Sequence, residues 1–377
     1  MTSKKTITIG ITFGWSGSHD SIFSQGVGQT CFFLKSLLER IPEVKEVVFI
    51  QNQPLGTKRP PALLTEYFNN TRFVDIHEAY RIVDIFIEGL FYLEKKCIEH
   101  IHKLGKKIVC LYVGANYIID AHFLLSNTPN PYFHRDTELY DSAWIFPHIE
   151  YTSGDYLSLL HHQDVTIVPY IWDPFFVNLL MLLNNKKGFG YRPHPNAKRI
   201  AIMEPNSNFS KIFLLPLSIA EKLERSSTGL IKNVSLLNTE KYASNDTFKN
   251  LINQLDLFKN KKLKIEKSYP FPLYMQNHCD VLITHQFGLE RNNVYFEMLY
   301  GCFPLVHNSE HLKSFDVGYY YPDFCITKGE NALKEAILYH DDNLTSYKEK
   351  ARAYIIEHAP FNPKNISTYR EKLLELI

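Results

Sequence analysis

Short runs of consecutive apolar residues, rich in Val and Ile, recur along this chain. Between them lie stretches whose apolar positions return every three or four residues. TITIGIT (6–12), VVFIQN (47–52), FVDI (73–76), IVDIFIE (82–88), KKIVCLYVG (106–114), SAWIFP (142–147) and VTIVP (165–169) are runs of the first kind. Residues 29–41, 91–104 and 153–161 follow the helical period. Short buried strands alternating with helices predict βαβ units and a mostly parallel sheet. The pattern halts at NNKKGFGYRPHPNAK (184–198), a polar, Gly- and Pro-containing stretch that reads as a linker. It then starts again. RIAIMEP (199–205), NVSLLNT (233–239), KLKIEK (262–267), DVLITHQ (280–286) and FPLVHN (303–308) read as strands, with helices expected over about 210–223, 247–258 and 292–301. From about 330 the chain reads as helical, interrupted by the turn HAPFNPKN (358–365). The expected architecture is α/β, with a Rossmann-like domain over 1–183 and a second over 199–345. A helical tail over 346–377 is expected to pack back on the first domain.

Composition narrows the function class. With 377 residues, the chain is long enough for two cores without stapling by disulfides. Lys plus Arg is 41 against 40 for Asp plus Glu, a balance that excludes a nucleic-acid coat but leaves room for a local anion pocket. The six Cys form no CxxC pair, so neither a zinc ribbon nor a thioredoxin-like motif is expected, and a reducing, cytoplasmic compartment fits them. There is no uncharged apolar run of membrane-spanning length, and the first residues read as a strand rather than a signal peptide.

Candidate chemistry gathers where strands end. ITFGWSGSHDSIFSQGVGQT places Gly14, Gly17, Gly26 and Gly28 between the first strand and a helix. Such a turn either cradles phosphate at a helix start or needs glycine for its own conformation. The spacing is not GxGxxG, so a nicotinamide enzyme is not expected. His19 and Asp20 in that loop form a candidate acid–base pair or a solvated surface pair. Glu88 ends a strand, where a carboxylate can act as a base or bind an acceptor hydroxyl, or simply favour the next helix start. MEPNSNFSK carries Glu204, Asn206, Asn208, Ser210 and Lys211 from a strand into a helix, a set suited either to a diphosphate or to capping. In DVLITHQFGLERNNVYFEMLYGCFPLVHN, His285 ends a strand, Asn292 precedes a helix, and Asn293 and Glu297 share one helical face. No DxD pair ends a strand; Asp341 and Asp342 read as solvated surface, and no Mg²⁺ or Mn²⁺ site is expected.

These segments, in this order, resemble the GT-B class of nucleotide-sugar glycosyltransferases. SQGVGQTCFFLKSLL is similar to their Gly-rich loop and helix, and VTIVPYIWDPFFV to the segment that ends their first domain. IMEPNSNFSKIFLLPLSIA resembles the strand, loop and helix that bind the donor diphosphate; Lys211 matches the Lys of that motif, and its Arg has no counterpart. HQFGLERNNVYFEMLYGCFPLVHNS resembles their E-x7-E segment. Glu297 stands for the second Glu, while the first would fall at Leu289, with Glu290 one place late. More closely, GVGQ, THQ, LYGCFPLVHNS and GYYYP (318–322) are similar to a bacterial glycosyltransferase-like family of unknown function.

The resemblance implies two Rossmann-like domains facing a cleft, and sugar transfer from a nucleoside diphosphate sugar to a hydroxyl acceptor. Lys211 and the helix starts near Ser210 and Asn292 would stabilise the departing diphosphate. Glu297 would hold the ribose, and His285, Asn206 and Asn293 would line the donor site, with Gly26 and Gly28 near the phosphates. Glu88, Asp20 and His19 are the candidate catalytic groups. No metal and no cofactor beyond the nucleotide sugar are implied. The acceptor would be a glycan, a lipid-linked sugar or a protein, met in the cytoplasm or at the inner face of the membrane, with at most peripheral membrane contact. A nucleotide-sugar epimerase or hydrolase, or a non-catalytic nucleotide-sugar-binding protein, stays open as an alternative.

Overall fold

The structure, a computed structural model, describes residues 6–14, 21–24, 26–51, 71–131, 133–289 and 291–377. It divides into two compact units, residues 1–173 with 358–377, and residues 174–357.

The first unit is built on seven parallel strands: β1 (Ile7–Thr12), β2 (Val44–Ile50), β3 (Phe73–Val74), β4 (Ile85–Glu88), β5 (Lys107–Tyr112), β6 (Ser142–Ile145) and β7 (Thr166–Ile167), in the order β3-β2-β1-β4-β5-β6-β7. β1, β4 and β6 are buried along their whole length. That is why they read as unbroken apolar runs rather than alternating ones. The order reverses direction between β1 and β4, and loops beyond the carboxyl ends of strands at such a reversal are where this topology binds ligands. The last helix, Pro363–Leu374, lies on helix Gly26–Leu38. Tyr369 Oη donates to the Pro169 carbonyl at 2.8 Å, and Arg370 Nε donates to Glu43 Oε2 at 2.9 Å.

The second unit repeats the plan with six parallel strands: β8 (Lys198–Ile202), β9 (Ile231–Leu236), β10 (Leu263–Ile265), β11 (Val281–Ile283), β12 (Leu305–His307) and β13 (Tyr319–Tyr320), in the order β10-β9-β8-β11-β12-β13. Its reversal lies between β8 and β11, paired through Val281 with Ile200 and Leu282 with Ala201. A 32-residue helix, Ile326–Glu357, packs along helix Leu214–Ser226.

Several details differ from the sequence pattern. The run 82–88 is split: Asp75 caps a helix over Ile76–Ile82, and the strand starts only at Ile85. The helix expected over 247–258 is two, Asp246–Asn253 and Asp256–Lys259. The units divide at Asp173/Pro174, ahead of the polar stretch, and helix Phe175–Leu183 belongs to the second. The stretch 184–198 is not a free linker. Tyr191 N donates to the Gly301 carbonyl at 2.7 Å, and Gly190 N to Gln276 Oε1 at 2.7 Å. Asp341, expected on solvated surface, receives hydrogen bonds from Tyr191 Oη (2.5 Å), His194 N (3.1 Å) and Lys198 Nζ (3.2 Å). It holds this stretch against the long helix, a role invisible to helical periodicity.

Candidate functional site

At the carboxyl edge of the β8/β11 reversal, the chain leaves β8 through Met203 and Glu204 and turns back tightly. Asn206 makes the turn with φ of 53°, a left-handed conformation that asparagine tolerates better than most residues. Its side chain ties the loop together: Nδ2 donates to the Glu204 carbonyl (2.9 Å), and Oδ1 accepts from Phe213 N (2.9 Å). Asn208 Oδ1 accepts from Ser210 N (3.0 Å) and Ser210 Oγ (2.6 Å). The Ser210 carbonyl in turn accepts from Phe287 N at 2.8 Å, which joins this loop to the one that follows β11. Asn206 and Ser210 are therefore occupied in building the loop.

Glu204 is the hub. Its Oε1 accepts from Thr284 Oγ1 (2.5 Å) and from His285 N (3.0 Å). Burial pushes its carboxyl up to about 7, against the pull of those two donors and of the nearby Lys211 ammonium. Lys211 is itself held below the usual lysine range by burial, offset in part by Glu204. Among the described residues its ammonium has no hydrogen-bond or ion-pair partner. A half-buried cation whose neighbouring carboxyl is already taken by Thr284 and His285 can receive a further anion.

The loop after β11 completes the edge. His285 is 4% exposed; its Nδ1 lies 3.2 Å from Tyr321 Oη, while its Nε2 has no partner. Tyr321 Oη donates to the Thr284 carbonyl at 2.8 Å. Gln286 N donates to Asn308 Oδ1 (2.9 Å), and Gln286 Oε1 is buried without a partner. Asn292 caps helix Asn293–Tyr300 by accepting from Val294 N at 2.8 Å. Glu297, on that helix, is 5% exposed, and its carboxyl is pushed up to about 8 by burial alone. No described residue hydrogen-bonds it. A buried carboxyl without a partner costs stability in either protonation state, so it is the kind of group a fold retains for a ligand.

The structure thus brings together Glu204, Asn206, Ser210, Lys211 and His285, and sets Asn292, Asn293 and Glu297 on the helix that leaves the same edge. Thr284, Gln286, Asn308 and Tyr321 were not singled out by side-chain chemistry, although the runs THQ, HNS and GYYYP contain them. Gly318 opens the last of these with φ of 78°, and a Cβ there would lie 2.5 Å from the His307 ring. Leu289, at the place of the first Glu of E-x7-E, is buried, and Glu290 lies outside the described residues.

In the first unit, His19 and Asp20 lie outside the described residues. Gly26 opens the helix and is exposed; Gly28 is buried, and the place of its Cβ is bounded by Ile22 Cδ1 at 3.0 Å and Leu90 Cδ1 at 3.6 Å. Those are packing neighbours. Glu88 is fully buried, with Oε1 accepting from Leu93 N (2.7 Å) and Oε2 from Tyr140 Oη (2.7 Å). Burial pushes its carboxyl up to about 7, with both donors pulling the other way.

Two parallel, Rossmann-ordered units in one chain, each with a reversal beside its first strand, define the GT-B glycosyltransferase fold. The chain belongs to the family described as protein of unknown function DUF2827, whose model matches residues 9–373. Among solved structures it is similar to Anabaena HepE in complex with UDP-glucose, at 11% identity and a TM-score of 0.55, covering 98% of this chain and 100% of that one. It is also similar to the lipopolysaccharide outer core galactosyltransferase WaaB in its apo form (9% identity, TM-score 0.56, 98% and 99% covered). A third is the α,α-trehalose 6-phosphate synthase of Burkholderia multivorans (10% identity, TM-score 0.60, 98% and 96% covered). No curated protein matches the sequence.

Proposed function

We propose that this chain is a glycosyltransferase that moves a sugar from a nucleoside diphosphate sugar to a hydroxyl acceptor, in the synthesis of bacterial surface glycans or glycoconjugates. The observation that carries this reading is the Lys211 ammonium, which has no hydrogen-bond or ion-pair partner among the described residues and lies on the loop after β8; Glu297, whose carboxyl likewise lacks one, stands on the helix that follows β11. Structures of the same fold include HepE bound to UDP-glucose, which supports a nucleotide sugar as donor.

In this reading Lys211 meets the diphosphate. Breaking the bond between anomeric carbon and phosphate oxygen leaves negative charge on the departing diphosphate, and a pre-positioned cation in a desolvated place stabilises that charge as it grows. The backbone donors around Ser210 and the capped start of helix Asn293–Tyr300 add to it. Glu297 accepts from two vicinal hydroxyls of the ribose, which supply the hydrogen bonds it otherwise lacks. His285 Nε2, buried and unpartnered, turns toward the phosphate or the transferred sugar. The reading assigns the leaving-group charge to Lys211 and needs neither a metal nor a further cofactor for it. Glycan, lipid-linked and protein acceptors are all compatible with it. No helix among the described residues is long and apolar enough to cross a membrane, in keeping with work in the cytoplasm or at the inner membrane face.

The test is a thermal-shift screen of the full chain against nucleoside diphosphates and their sugars, followed by measurement of nucleoside diphosphate release. Ligand at 100 times its Kd should stabilise by about 2.7 kcal/mol. If no nucleotide moves the melting point, the donor-site reading fails. Binding without release under any acceptor points instead to a binding protein.

A further inference from the structure

The mechanism above leaves one buried cluster in the first unit unused. Glu88 ends β4, and its register partner on β5 is Cys110, so the two side chains leave neighbouring strands on the same face of the sheet. His134, from the segment before β6, lies against them, with Nδ1 3.2 Å and Nε2 3.7 Å from Cys110 Sγ; the sulfur sits over the ring, and the imidazole must turn to aim a nitrogen at a shared ion. All three residues are buried, and one ligand atom from each, Oε, Sγ and ring nitrogen, lie within 4.8 Å of one another. Around them stand Tyr140, which donates to Glu88, and Tyr112, whose hydroxyl lies 2.8 Å from His161 Nε2.

Two features distinguish this cluster from ordinary polar packing. First, among the described residues it contains two acids and no cation: no Lys or Arg is among the groups that perturb Glu88, Cys110, Tyr112 or Tyr140. Two buried acids must either keep their protons or receive positive charge from outside the protein. Second, the donor set is one thiol, one imidazole and one carboxylate, the mixture that a borderline-soft divalent ion takes with bonds of about 2.0–2.3 Å. Imidazole binds such an ion as the neutral base.

We propose that Glu88, Cys110 and His134 form a binding site for one Zn²⁺-like divalent cation, separate from the donor edge of the second unit. The thiol proton and any proton on Glu88 leave to solvent as the ion enters. The thiolate and carboxylate then balance the charge of the ion, and His134 contributes a neutral lone pair. Tyr140 remains on the second carboxylate oxygen, where it orients Glu88 as outer-shell partners do. Binding therefore releases up to two protons and tightens as pH rises.

The wild-type full chain, stripped with chelator and refilled with Co²⁺, provides a test that needs no variant. One equivalent should bind, with a near-ultraviolet thiolate-to-cobalt charge-transfer band, and Zn²⁺ should displace it one for one and raise the melting temperature. In Cys110→Ser the charge-transfer band should vanish. In His134→Ala, affinity measured against a chromophoric zinc chelator should fall more than about 100-fold, beyond the 10–100-fold typical of outer-shell partners. Wild-type chain that binds no Co²⁺ at micromolar concentration overturns the site. So does Co²⁺ binding without the sulfur band, or with an affinity unchanged in a folded His134→Ala protein.

Discussion

The two units carry one sheet plan and a buried glutamate each at its reversal, but they surround that glutamate differently. Glu88 and Glu204 both hold two hydrogen-bond donors and are both pushed up to about 7. Glu204 has Lys211 as a neighbour, and from it the chain runs into loops tied by Asn206, Asn208 and Ser210. Glu88 is closed in by Cys110, Tyr140 and the tyrosine and histidine rings around them, with no cation among the described residues. A carboxylate at a strand end is therefore not informative alone. The charge beside it decides whether that end receives an anion, as Lys211 allows, or a cation, as the first unit's acids require.

Lys211→Ala should break the second unit's side of this contrast most severely. Nucleoside diphosphate release is expected to fall at least about 100-fold, the scale of losing one charge-stabilising donor, with the melting temperature little changed. Activity within threefold of wild type removes Lys211 from the site. Glu297→Gln comes next, with nucleotide affinity down about 10-fold, about 1.4 kcal/mol. It should also raise the melting temperature above pH 7, because an amide there carries no charge to desolvate. A gain in stability without a loss of affinity would make Glu297 a strained core residue rather than a ribose ligand.

Asp341→Ala tests a structural pairing in the same unit. It removes the acceptor of three hydrogen bonds and leaves Lys198, whose side chain is 3% exposed, without its carboxylate. The expected cost is about 1–3 kcal/mol by chemical denaturation, below that of a fully buried pair because Asp341 is partly exposed.

The acids compare the units directly through pH. Glu88, Glu204 and Glu297 have folded values above the unfolded glutamate value. The folded chain thus keeps protons that the unfolded chain releases. Their contribution is complete below about pH 4.3 and is lost as pH rises through about 7 to 8. Buried His134, His161, His307 and His340, lowered by burial, gain stability with pH over part of the same window, so the acids are read by difference: in chelator, wild-type stability relative to Glu88→Gln and to Glu204→Gln should fall between pH 5 and 8 by about 2–3 kcal/mol each. A difference that stays flat over this window would mean that partners absent from the described residues hold these carboxylates charged.

Most of the architecture was legible because both sheets are parallel and buried, so β1, β4, β5, β8 and β11 announce themselves as apolar runs. Phe175–Leu183 escaped because it is apolar nearly all round, without the polar face that marks a surface helix. Asp341 escaped because its partners lie about 150 residues earlier in the chain. Of the candidate site, Lys211 and Glu297 are proposed through a family-like spacing. Glu204 as a hub was not legible, since its importance lies in Thr284 and His285 meeting it from another strand. The cluster of Glu88, Cys110 and His134 was equally hidden, because Cys110 sits in an apolar run and reads as a small hydrophobe.

Gly28→Ala carries the smallest expected effect and tests what the first unit's glycine-rich turn is for. The sequence leaves two readings for glycine there, close approach of backbone to phosphate or the turn's own conformation. The added methyl, however, would meet the flexible end of Ile22 at 3.0 Å and Leu90 at 3.6 Å. Ala in a helix is favoured over Gly by about 0.8–1 kcal/mol, and a tight methyl contact offsets a similar amount. Stability should therefore move by less than about 1 kcal/mol, and turnover should stay within threefold. Unchanged stability with turnover down tenfold or more would return this turn to phosphate binding. The two units would then be more alike in function than Glu88 and Glu204 make them in chemistry.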